Sequence, residues 1–168
     1  LAYHLALPKL YLLRHYLSFE RTLTGALYPD NIGMLYLLAI GLRDASLAQV
    51  IHWFMGATTV FAIWCFCRGY FNERAGVWAA VIYASTPVFT FFAPLAYIDI
   101  GVGLFQFLGI WALIKWVRTG ARRALLVTAV FTGLAMGSKH TAIILAVFIA
   151  VVVVGRGVYK KEGVAAIL

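Results

Sequence analysis

The chain has 168 residues, 64% of them hydrophobic and only 12% charged, with a mean hydropathy of +0.92. A soluble domain is roughly half apolar and about a quarter charged, so these proportions exclude an ordinary soluble fold and predict an all-α, polytopic membrane protein. The net charge of +8 is spread over single and paired basic residues, without the clustered basic surface that nucleic-acid binding needs. No charged leader with a small-residue cleavage site precedes the apolar runs, and the chain reads as an internal piece of a longer protein.

Residues 1–45 mix Leu and Tyr with Lys9, Arg14, Arg21, Arg43, His4 and His15. Pro8 suits the start of a helix over the next ten or so residues. The polar positions of that helix form no single face, which predicts an interfacial rather than a spanning segment. Tyr28-Pro29-Asp30-Asn31 is a turn signal and a candidate N-cap. The apolar stretch Ile32 to Leu42 after it is too short to cross a bilayer. Residues 1–45 are thus expected to form an amphipathic outer-face loop packed over the ends of the spans.

Five crossings are expected within 46–155, at about 47–67, 75–92, 99–117, 124–136 and 140–155. Each is near the ~20 residues that cross as a helix, or short of it. The first contains Gln49 and His52 near one end. Its two cysteines, Cys65 and Cys67, point to nearly opposite sides of a helix and read as apolar filler rather than metal ligands or a disulfide. Pro87 should kink the second crossing. The apolar run 124–154 is divided at Gly137-Ser138-Lys139-His140, because a lysine in the middle of one long helix would be buried without a partner. Residues 156–168 are expected to be a cytoplasmic loop and the start of a further apolar segment.

From Ala75 to Trp116 the charged side chains are Asp99 and Lys115. A carboxylate within so much apolar sequence needs a membrane surface or a polar cavity around it, which places Asp99 at the turn between the second and third crossings. The alternative is an acid in the first turn of a helix, where the backbone dipole favours it. The five-crossing layout puts nine basic residues on one side (Arg68, Arg74, Lys115, Arg118, Arg122, Arg123, Arg156, Lys160 and Lys161). The other side has Lys9, Arg14, Arg21, Arg43 and Lys139. By the positive-inside rule the nine are cytoplasmic, with residues 1–45, Asp99 and Lys139 together on the outer face. Gly133 and Gly137 have a spacing that lets helices approach closely, and Gly101 and Gly103 offer the same near Asp99.

No glycine-rich nucleotide loop, P-loop, His-Glu-x-x-His or Cys-x-x-Cys is present. What remains is an outer-face set of Tyr3, His4, Lys9, Arg14, Tyr97, Asp99, Lys139 and His140. Cations with one carboxylate at a membrane surface suit an anionic amphiphile such as a lipid phosphate. Lysine offers a point charge, histidine a titratable donor, and aspartate a hard oxygen ligand for a divalent ion. Each has a structural alternative: Lys9 and Arg14 can snorkel to headgroups, and Lys139-His140 can cap the carbonyls of the preceding helix. A transporter or flippase fragment, with Asp99 and Lys139 along a path, would instead need polar residues at mid-membrane depth. The spans contain few, which favours chemistry at the outer surface.

The stretch Leu1-Ala2-Tyr3-His4-Leu5-Ala6-Leu7-Pro8-Lys9-Leu10-Tyr11 resembles the first outer loop of bacterial GT-C glycosyltransferases, polytopic enzymes related to protein O-mannosyltransferases and the lipid A aminoarabinose transferase. Tyr28-Pro29 with Gly33-Met34-Leu35-Tyr36 resembles the next part of that loop, and Tyr97-Ile98-Asp99 the second outer loop. The run from Gly133 to Ala142 is similar to the family's Gly-Leu-Ala-x-Gly-Thr-Lys-Tyr-Thr. The resemblance implies transfer of a sugar from a polyprenyl-phosphate donor to an acceptor hydroxyl on a lipid, glycan or protein, at the non-cytoplasmic face of a bacterial inner membrane. It makes Tyr3, His4, Lys9, Tyr97, Lys139 and His140 candidates for the donor or its phosphate. Asp99 is the candidate ligand for a divalent ion (Mg or Mn). Two departures matter: the family's base carboxylate would fall ahead of Leu1, and Gly33 stands where relatives usually carry Glu. The chain is therefore expected to be inactive alone.

Overall fold

A computed structural model describes the backbone of residues 2–17 and 30–165, and the side chains of residues 4–17 and 30–157. It is all-helical among the described residues: α1 Ala2–Arg14, α2 Asn31–Leu42, α3 Ala45–Tyr70, α4 Glu73–Ala84, α5 Pro87–Phe92, α6 Asp99–Thr119, α7 Arg122–Met136 and α8 Ile143–Ala165. A 3-10 turn, His140–Ala142, leads into α8.

Three of the helical stretches, Ala45–Tyr70, Asp99–Thr119 and His140–Gly157, are long and apolar enough to cross a membrane. Little of their surface is covered by the rest of the chain. Along α8, Ile144 is 74% exposed and Val151 65%. Apolar faces this extensive are not left to water in a soluble protein; a bilayer solvates them. The chain is an integral membrane protein. The second and fourth expected crossings are shorter helices. At 15 residues α7 rises about 22 Å. The second is broken rather than kinked: α4 stops at Ala84, and α5 starts afresh at Pro87 with Thr86 as its N-cap. Proline lacks the N–H that would continue α4, and it disfavours helical geometry at the residue before it.

Two other expectations need correction. α1 does not start at Pro8 but at Ala2, with Pro8 in its interior. Proline supplies no N–H to the helix ladder, and burial of Leu5, Leu7 and Pro8 offsets that loss. The helix ends where His15 turns to a positive φ of 57°. At the other end, α8 runs on to Ala165, so the expected loop from residue 156 is helical through most of its length. Arg, Lys and Glu are good helix formers, and no proline interrupts them.

Local capping explains the other boundaries. Asp30 caps α2 by accepting from the Gly33 N–H at 2.9 Å. Asp44 accepts from the Ser46 N–H at 2.8 Å to start α3, and Asn72 from the Ala75 N–H at 2.9 Å to start α4. Gly120, at φ 71°, reverses the chain between α6 and α7. α3 then pairs with α4, and α6 with α7, as hairpins. The main buried cluster gathers Leu5, Ile32, Tyr36, Ala39, Ala48, Ala96, Ile98 and Val102. These come from α1, α2, the first turn of α3, the 93–98 loop and the first turn of α6. The densest packing therefore sits at the Asp99 end of the spans, where α1 and α2 fold over them.

Candidate functional site

Asp99 is the first residue of α6, and no side chain caps that helix. Its carboxylate is not spent on backbone N–H groups. It meets the Lys139 ammonium at 2.5 Å, with the two side chains 45% and 34% exposed. Lys139 lies between α7 and the 3-10 turn, where its own N–H donates to the Ala135 carbonyl at 3.0 Å and closes α7. The backbone of Lys139 thus does the capping, and its side chain is left to reach across to α6. The ion pair closes the open end of the α6–α7 hairpin, between residues 40 apart in sequence.

The same end is tied together by uncharged contacts. The Asn31 N–H donates to the Gly137 carbonyl at 2.8 Å, joining the start of α2 to the end of α7. A β-carbon on Gly137 would lie 2.2 Å from Asn31 Nδ2, so glycine is what allows this approach. Tyr36 is fully buried, and its hydroxyl donates to the Tyr97 carbonyl. The Tyr97 ring meets His4 edge-on, with centroids 4.7 Å apart, and also packs on Phe92. His52 is fully buried in α3, beside the backbone carbonyls of Phe92, Ala93 and Leu95, with neither ring nitrogen in a formed hydrogen bond.

Charge couples these groups. Burial pushes the His4 imidazole below its ordinary value; Asp99 opposes the fall, while Lys139 and His52 deepen it. Burial also raises the Asp30 carboxyl, against the pull of the Gly33 N–H.

Of the residues expected at the site, the structure brings His4, Tyr97, Asp99 and Lys139 together. His140 stands exposed immediately after Lys139, at the start of the 3-10 turn. Lys9 does not join them: it is exposed and makes no ion pair among the described residues. The side chain of Tyr3 lies outside the described residues. So do Tyr28 and Pro29. Asn31, Tyr36 and His52 were not singled out as site residues. His52 carried a signal nonetheless, being an imidazole two turns inside an apolar span, at the depth where that span meets the Asp99 loop.

A divalent-ion site is not assembled from these residues. Among the described residues no three His, Cys, Asp or Glu side chains group as a metal shell, and Asp99 has an ammonium at its oxygen. Hard cations take six or more oxygen ligands, several of them carboxylates or waters, so the donor set in hand does not fit one. What the cluster offers is a partly exposed ammonium and carboxylate beside a neutral imidazole and an aromatic wall.

No curated protein and no solved structure matches the chain. The family described as dolichyl-phosphate-mannose-protein mannosyltransferase matches residues 31–167. That match takes in α2 to α8, both hairpins and the Asp99–Lys139 pair. The chain belongs to this family of membrane glycosyltransferases of the GT-C type.

Proposed function

We propose that the protein moves a sugar from a polyprenyl-phosphate donor to an acceptor hydroxyl of a lipid, glycan or protein, at the non-cytoplasmic face of a bacterial inner membrane. The Asp99–Lys139 end is the reacting face. The Asp99–Lys139 pair at the open end of the α6–α7 hairpin is the observation that carries this reading, because a cation and a carboxylate meet there with α1 packed beside them.

The acceptor oxygen attacks the anomeric carbon, the bond from that carbon to the phosphate oxygen breaks, and the lipid phosphate leaves with the bonding electrons. The acceptor proton passes to a carboxylate acting as general base. Negative charge builds on the leaving phosphate. Lys139 is placed to meet it, exchanging its contact with Asp99 for a phosphate oxygen. Asp99, freed from the ammonium, accepts hydrogen bonds from sugar hydroxyls, and His4, neutral near pH 7, donates or accepts one. No step is routed through a metal.

Replacing Asp99 by Asn tests this. The pair is partly exposed, so its loss should change stability by no more than about 1 kcal/mol. Glycosyl transfer from a polyprenyl-phosphate sugar by the full-length protein, at matched membrane levels, should fall roughly tenfold or more, on the order of 1.4 kcal/mol of transition-state stabilisation. Lys139→Gln should do the same. Rates equal to the parent in both variants would remove the pair from the reaction.

A further inference from the structure

The opposite end of the α6–α7 hairpin has a feature the transferase reading does not use. Between the last turns of α6 and the first turns of α7 lies a cavity of about 420 Å³, walled by Leu108, Trp111, Ala124, Val127 and Phe131. Lys115 and Arg123 also line it, one from each helix. Both are exposed, and neither side chain makes an ion pair or hydrogen bond among the described residues. Three other cations at this end are engaged. Arg68 pairs with Glu73 at 2.7 Å, Arg118 lies over the Tyr70 ring at 4.8 Å, and Arg156 lies over Trp116 at 5.0 Å and donates to the Val117 carbonyl.

We infer that this groove binds an anionic phospholipid, with an acyl chain against the Trp111–Phe131 wall and the phosphodiester between Lys115 and Arg123. The walls are apolar and α7 turns Leu126 and Val130 outward beside them, so the groove opens to the hydrocarbon of the bilayer. Two unpaired cations at its polar end decide the occupant. A further apolar helix seated here would bury both charges without a partner, which is unfavourable. A phosphodiester brings the missing negative charge, and basic pockets between membrane helices hold anionic headgroups for this reason. The inference stands independently of the transferase reading.

The test uses full-length protein in detergent, stripped of lipid and titrated with phosphatidylglycerol or phosphatidylcholine carrying brominated acyl chains. Bromine quenches a nearby indole, and the difference between the parent and Trp111→Phe isolates the Trp111 signal. Phosphatidylglycerol should quench it at about tenfold lower concentration than phosphatidylcholine, in keeping with two cations at a membrane surface. Salt should narrow the gap. The double variant Lys115→Gln/Arg123→Gln should abolish it, whereas Arg118→Gln should leave it intact. Equal quenching by the two lipids, a preference that survives in the double variant, or no quenching of Trp111 by either lipid would each overturn the assignment. The last outcome would mean that protein covers the groove.

Discussion

His4 is a half-buried titratable residue of the candidate site. Its imidazole is held below the ordinary 6.5, first by burial, with Asp99 pulling back and Lys139 and His52 adding to the fall. The unfolded chain therefore takes up the proton at a higher pH than the folded one. Between the lowered folded value and 6.5 the unfolded state binds more protons, so stability rises with pH across that window. It should be fully present above pH 6.5 and decline as the pH falls below it. Thermal unfolding of the full-length protein across this range should show the decline, and His4→Gln should flatten it. An unchanged slope in His4→Gln would assign the titration to another group. The same residue shows how far local sequence reaches. His4 could be nominated from its place in an aromatic and basic outer segment, but whether it met Asp99 depended on α1 folding back over α6, which no local pattern encodes.

Helix contacts divide the glycines into two kinds. A β-carbon on Gly76 would lie 2.9 Å from the Trp64 carbonyl oxygen and 3.1 Å from Arg68 Cβ, atoms of α3 that cannot swing aside. At Gly103 nothing stands within 4 Å. Gly76→Ala should prise α3 from α4 and destabilise by about 1–3 kcal/mol, while Gly103→Ala should be neutral or stabilise by up to about 1 kcal/mol. Denaturant titration of the two purified variants checks the contrast, and a loss in both would show that the hairpin contact is not what distinguishes them. The spacing of Gly133 and Gly137 suggested one close-packed face. Only Gly137 is used that way, against Asn31; nothing stands within 4 Å of a β-carbon at Gly133, which lines an open groove toward α8. Spacing shows which residues share a face, but not whether a partner is there.

For the molecule as a whole, the hairpin ends sort by charge. Asp99 and Lys139 meet at one end, and Arg118, Arg122 and Arg123 surround the turn at the other. The positive-inside rule assigns the second end to the cytoplasm. Single cysteines placed at exposed Thr141 and Ala121, with Cys65 and Cys67 replaced by alanine, should report this. A membrane-impermeant thiol reagent applied to intact cells should label Thr141→Cys and reach Ala121→Cys only after lysis. Labelling of both from one side would overturn the five-crossing layout.

The sequence by itself determined that this is an all-helical membrane protein, where α6 starts, and that residues 30–31 begin a helix. These follow from composition, run length and capping chemistry, which act over a few residues or over the whole chain without regard to contacts. Tertiary structure decided the rest. It set Pro8 inside a helix because the faces of α1 and α2 bury enough apolar surface to tolerate it. It left Lys9 exposed and without an ion pair among the described residues. It joined Asp99 to Lys139 rather than to the backbone, and put buried His52 beside the 92–95 carbonyls. Each of these depends on which helix lies next to which, and among apolar helices that choice is made by shape, at glycines such as Gly101 and Gly137, more than by any pattern along the chain.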